Sequence, residues 1–153
     1  MVDESRFHSN DPKEVLDFYE QFKNREELIG WMRSRPTAEI EFKESEGGCS
    51  EAVVVIPSIK EEYQRRALKV FEGLKVVFVI SGGRYFNYSR SVNAGIRYAL
   101  KKFSPSWIVV SNDDVYKVDE SKVLLDELAT LDGKGVELVY ADKGKYHSYK
   151  MYL

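Results

Sequence analysis

The stretch Trp107-Ile108-Val109-Val110-Ser111-Asn112-Asp113-Asp114-Val115-Tyr116 joins four apolar residues to a serine, an amide and two carboxylates. An unbroken apolar run of this length suits a strand covered on both faces, as in the middle of a parallel sheet. Ligands of such sheets bind beyond the carboxyl ends of the strands, where Asn112, Asp113 and Asp114 emerge. Neighbouring carboxylates repel unless a cation or a proton relieves them, so a divalent metal is a natural partner. The plainer alternative is a turn, because Asn and Asp bond their own backbone.

Working outward, 153 residues fit one domain, or one domain with a short appendage. The 23 basic and 25 acidic residues leave a formal charge of −2. That balance argues against a general nucleic-acid binder, which carries a basic excess. Cys49 is the single cysteine, which excludes a disulfide framework and a cysteine-based zinc site. No segment reaches the roughly 18 consecutive apolar residues that span a bilayer, and residues 1–10 are too polar for a secretory signal. A reducing, cytoplasmic setting is expected. High Lys and Glu content is compatible with a thermophilic source.

Residues 1–50 read as an N-terminal helical appendage with a short strand. Asp11-Pro12-Lys13-Glu14 and Asn24-Arg25-Glu26-Glu27 are helix-start signals followed by apolar residues at helical spacing. Over 37–43, Ala38, Ile40 and Phe42 alternate with charged residues, as in a half-exposed strand. Residues 44–50 lack periodicity and read as a loop. From 51 to 153 strands and helices alternate: strands over 52–56, 74–80, 107–111 and 136–141, helices over 61–72, 89–103 and 119–131, with Asp119 as the last cap. This order predicts an α/β fold of three layers, α/β/α, around a mainly parallel sheet. Residues 142–153 form a polar, tyrosine-bearing tail. The two N-terminal helices are free to dock on the sheet, pair with a second copy as a homo-oligomer, or lie peripherally on a membrane.

Three strand-end loops gather on one sheet edge: Pro57-Ser58-Ile59-Lys60, Ser81-Gly82-Gly83-Arg84 and Asn112-Asp113-Asp114. Glycines 82 and 83 let backbone approach a ligand, although no GxGxxG or P-loop pattern is present. Arg90 and Asn93 stand near the start of the helix below that edge. Gly95 costs that helix about 1 kcal/mol against alanine, so a packing or a ligand reason is expected.

Taken in order, Val-Val-Val-Ile-Pro-Ser (53–58), Phe-Asn…Asn-Ala-Gly-Ile (86–96) and Trp-Ile-Val-Val-Ser-Asn-Asp-Asp-Val (107–115) resemble the nucleotide-binding half of GT-A-fold, family-2-like glycosyltransferases. The Phe-Asn pair resembles the galactosyltransferase branch. The resemblance implies a Rossmann-like nucleotide-diphospho-sugar transferase fold over about 52–142, with 51–153 a truncated version of it. It implies a metal-dependent hexosyl transfer from a UDP- or GDP-sugar to an unidentified acceptor. By the same resemblance Asp114 binds Mn²⁺ or Mg²⁺, as the end of a DXD-like motif. Asn112 faces the ribose or sugar, and Asp113 is the middle residue. Pro57 and Ser58 line the nucleoside pocket, and Arg90 and Asn93 approach base, ribose or phosphate.

This sequence departs from the family pattern at three places. Ser81-Gly82-Gly83 ends the strand where an Asp that reads base or ribose is usual, leaving Ser81 in that position. Asn112 replaces the commoner Asp. Only residues 115–153 follow Asp114, and the family places its acceptor site and catalytic base further on. A non-catalytic nucleotide-sugar-binding or interaction module of the same descent is the alternative to an enzyme. An unrelated doubly wound domain is a third.

Overall fold

The computed structural model describes residues 2–139. After a 3₁₀ turn at Arg6–His8 come α1 (Pro12–Tyr19), α2 (Arg25–Ser34), β1 (Glu41–Glu44), β2 (Cys49–Pro57) and α3 (Glu61–Val70). β3 (Leu74–Ile80), α4 (Tyr88–Phe103), β4 (Trp107–Val110) and α5 (Ser121–Ala129) follow. The four strands form one sheet in the order β1-β3-β2-β4. β2 is parallel to both neighbours, with Val54 opposite Val76 and Val109, whereas β1 runs antiparallel to β3. The fold is therefore α/β with a mixed sheet, which corrects the expected mainly parallel one. The strand expected over 37–43 forms at Glu41–Glu44, with 37–40 in no strand, and a strand with a wet face suits an antiparallel edge.

The apolar runs owe their density to burial on both sides. Val53, Val54, Val55 and Ile56 have no exposed surface. Val54 and Ile56 join Val76, Phe78 and Ala67 of α3, with Leu124 and Leu125 of α5 against the same cluster. Val53 and Val55 join Val77, Val79 and Ala99 of α4 on the opposite face. Gly95 makes that second contact close: a Cβ there would lie 2.5 Å from Val55 Cγ1 and 2.6 Å from Val79 Cγ2. The packing reason for this glycine is the one the structure supports.

α3 carries the chain from β2 to β3 over one face, and α4 returns it past β2 to β4 over the other, so both crossovers share a hand. α5 lies on the α3 face. A third crossover of that hand would lead inward from β4, over strands already in place. This accounts for a correction: of the strand expected over 136–141, residues 136–139 form none, and 140–141 lie outside the described residues. The tail from 142 onward lies outside them too. α5 also starts later than expected. Glu120, not Asp119, holds the cap position, and it bonds Lys117 Nζ at 2.6 Å rather than the helix backbone.

Residues 45–48, read as loop, are stitched to β3. The Ser45 N–H donates to Val76 O at 2.9 Å, the Val76 N–H donates to Ser45 Oγ at 2.9 Å, and the Cys49 N–H donates to Gly73 O at 2.7 Å. β1 is tied to α4 as well. The Glu44 carboxylate accepts from Lys102 Nζ and from the Tyr98 hydroxyl, and Phe42 stacks on the Tyr98 ring at 4.2 Å. Lys102 first, then Tyr98, holds the Glu44 carboxyl below its ordinary 4.5. A depressed folded pKa stabilises above the unfolded value, and the effect fades as pH falls through the folded one. The stability gap between the parent chain and Glu44→Gln in urea is thus expected to be constant above about pH 6 and to shrink below 4.5. A gap independent of pH would show that the cluster contributes nothing.

The N-terminal helices carry their own aromatic core. Asp11 caps α1 through the Lys13 N–H at 2.9 Å, and Asn24 caps α2 through the Glu27 N–H at 2.9 Å. Phe18, 1% exposed, packs among Phe7, Phe22 and Trp31, with the Arg35 guanidinium over the Phe7 and Trp31 rings. The Trp31 indole N–H donates to Glu4 at 3.1 Å, and Arg84 reaches from the loop after β3 to His8 and Glu4. At the other edge the Trp107 indole N–H donates to Asp132 at 3.0 Å.

Candidate functional site

β2 and β3 are parallel neighbours whose following helices pack on opposite faces, so their exit loops diverge and leave a crevice at the carboxyl ends. A cavity of about 240 Å³ lies there. Pro57, Ser58 and Ile59 line it from the first loop, Ser81, Gly82, Gly83 and Phe86 from the second, and Asp113 from the loop after β4. The Ser58 N–H donates to Val79 O at 3.2 Å, extending the ladder one residue past β2. Gly83 has φ +82°, a left-handed conformation that turns the loop back, and its carbonyl accepts from the Phe86 N–H at 3.1 Å.

Two residues lining this cavity carry unpartnered polar atoms. Ser58 and Ser81 are 5% and 6% exposed, and neither Oγ has a hydrogen-bond partner. A buried hydroxyl left unmade costs about 1–3 kcal/mol, so two of them beside one cavity are a reason to expect a polar ligand. Asp113 is half-buried and is the one titratable side chain among the described residues that line the cavity. The walls at Pro57, Ile59 and Phe86 are apolar.

The other predicted site residues sit elsewhere. Asp114 is exposed and does not line the cavity; the turn after β4 directs Asp113 to it instead. Asn112 lies beside them, its Oδ1 accepting from the Tyr88 hydroxyl at 3.2 Å. Arg90 Nη1 donates to Ala38 O, which commits this side chain to holding the segment before β1. Asn93 is exposed on α4 and is not a lining residue. Asn87 caps α4, its Oδ1 accepting from the Arg90 N–H at 2.8 Å. Ile59 and Phe86 are lining residues that strand-end reasoning passed over, because an apolar loop residue carries no chemical signal.

Among the described residues no group of three or more His, Cys, Asp or Glu side chains could hold a metal by itself. Asp113 is the hard oxygen donor among the described lining residues, and Mg²⁺ commonly takes one or two carboxylates with the remainder from phosphate and water. The residues present fit an ion shared with a bound phosphate ligand, and not one caged by protein alone. No helix among the described residues is long and apolar enough to cross a membrane. No protein-family model matches the chain, and neither a curated protein nor a solved structure matches it.

Proposed function

We propose that the crevice between β2 and β3 binds a nucleotide diphosphate sugar, and that the chain is a glycosyltransferase or the donor-binding part of one, on a GT-A-like three-layer fold. The carrying observation is the meeting of two buried, unpartnered hydroxyls with one carboxylate on a single strand-end cavity. The ordered resemblance of residues 53–58, 86–96 and 107–115 supports the same reading. Ser58 and Ser81 each donate and accept, and so match the mixed donors and acceptors of a base or ribose. Pro57, Ile59 and Phe86 give the nucleoside apolar walls. Asp113 would hold Mn²⁺ or Mg²⁺ against the diphosphate, the role that the sequence resemblance gives to Asp114. The chemistry such an ion supplies is neutralisation of charge on the departing nucleoside diphosphate.

A second reading, a nucleotide-sugar-binding module without transfer, is favoured by one observation. Asp113 is the one titratable lining side chain among the described residues, and a carboxylate committed to a metal is not free to take a proton.

Calorimetric titration with UDP, GDP and their hexose conjugates, with and without Mn²⁺, tests both. Binding to the parent chain is expected to strengthen with Mn²⁺. Ser81→Val is expected to weaken it about tenfold at either metal condition, by stranding the ligand atom it serves. Asp113→Asn is expected to abolish the metal dependence while metal-free binding persists. Absence of nucleotide binding in every condition sinks both readings. Binding without sugar transfer across a broad acceptor panel selects the second.

A further inference from the structure

Gln64 is a polar side chain where the packing calls for an apolar one. It is 4% exposed on the inner side of α3, one turn before the fully buried Ala67. A buried amide is tolerated only when its donors and acceptor are used, and leucine would fill the place without that requirement. Both ends of this amide are engaged. Its Nε2 donates to the main-chain carbonyl of Ser58 at 3.4 Å, and its Oε1 accepts from Lys43 Nζ of β1 at 3.1 Å.

Ser58 is the first residue past β2, where the ladder gives out. Its N–H is held by Val79 O at 3.2 Å, and its C=O is held by Gln64. With both backbone groups fixed, the peptide planes on either side of Ser58 cannot turn. The hydroxyl is then the one polar group of this residue without a partner. We propose that Gln64 is a positioning residue for the crevice: from outside the cavity it locks the Ser58 backbone, and through it the direction of the Ser58 hydroxyl, while Lys43 orients the far end of the amide. The consequence for ligand affinity rests on the crevice being the donor site; the effect on the Ser58 backbone does not.

Amide hydrogen exchange by NMR on the full chain separates the two. Gln64→Leu is expected to lower the protection of the Ser58 N–H about tenfold, as one hydrogen bond is lost beside it, and to leave Val54 in the sheet unchanged. Gln64→Glu adds a signature that simple packing would not produce. A neutral carboxyl donates to the Ser58 carbonyl and an ionised one cannot. The charged groups that share the surrounding pocket are Lys43, Glu44 and Glu46 on the β1 side, Glu61 and Arg65 on α3, and Glu72 after it. Protection of Ser58 in Gln64→Glu, relative to the parent chain at each pH, is therefore expected to recover as the pH is lowered through the titration of the new carboxyl, with no recovery in Gln64→Leu. Equal protection in all three chains overturns the proposal. UDP with Mn²⁺ is then titrated into the same proteins, and its affinity is expected to fall in step with Ser58 protection. Unchanged affinity despite lost protection also overturns it. A parent chain that binds no UDP sinks the donor-site reading and leaves the exchange result to judge Gln64.

Discussion

Alanine at Gly48 is expected to cost about 3 kcal/mol of folding stability, the sum of two separate penalties. Gly48 has φ +95°, and a Cβ there would lie 2.5 Å from both the carbonyl carbon and the oxygen of Leu74. Those atoms belong to a strand hydrogen-bonded on both sides, so the neighbour cannot give way. The left-handed backbone alone costs about 1–3 kcal/mol for a residue with a Cβ. Overpacking against fixed backbone costs a similar amount. Gly47 separates the two, since it has φ +65° and open space around its Cβ position. Gly47→Ala is expected to show the conformational part alone, about 1 kcal/mol. Urea midpoints at constant m-value make the comparison, and equal losses at the two positions would rule out the collision.

The second large effect reverses a helix rule. Gly→Ala inside a helix normally stabilises by about 0.5–1 kcal/mol, and Gly30 of α2, with nothing within 4 Å of its Cβ position, should follow it. Gly95→Ala is expected to destabilise by about 2 kcal/mol, because the new methyl meets Val55 and Val79 well inside contact distance. Both valines are fully buried and β-branched, with little freedom to rotate away. Thermal or urea unfolding of the two single variants should therefore give opposite signs. Two stabilising substitutions would mean that α4 can lift from the sheet at no cost.

How far the sequence reveals this fold depends on whether the deciding interaction is local. β3 is legible to the residue, because burial on both faces demands seven residues without a charge in the interior apart from Lys75 near its start. Lys75 can stay there since its ammonium reaches the Ser45 carbonyl at 2.7 Å. The direction of β1 is not legible: alternation reports one wet face and says nothing of the partner's direction. Residues 136–139, three of them apolar, form no strand, since what decides is the hand of a crossover.

The site divides along the same line. Ser58, Ser81 and Asp113 lie on the cavity because position at a strand end is a local property. Whether Asp113 or Asp114 turns inward depends on a rotation the pair Asn-Asp-Asp does not encode. Arg90 is claimed by the Ala38 carbonyl, 52 residues earlier, and only the folded chain brings that acceptor within reach. Gln64 is hidden for a different reason, since a polar residue in a helical pattern is ordinarily counted as solvent-facing.

The two tryptophans of the chain fall in different places: Trp31 in the aromatic core of the N-terminal helices, Trp107 at the start of β4. Each indole N–H is held by a carboxylate, Glu4 for one and Asp132 for the other. The molecule thereby carries a separate optical label on each side. Trp31→Phe and Trp107→Phe would each leave one tryptophan, so that, with excitation that spares the ten tyrosines, loss of order in the helices and in the sheet can be watched independently in the same solution conditions.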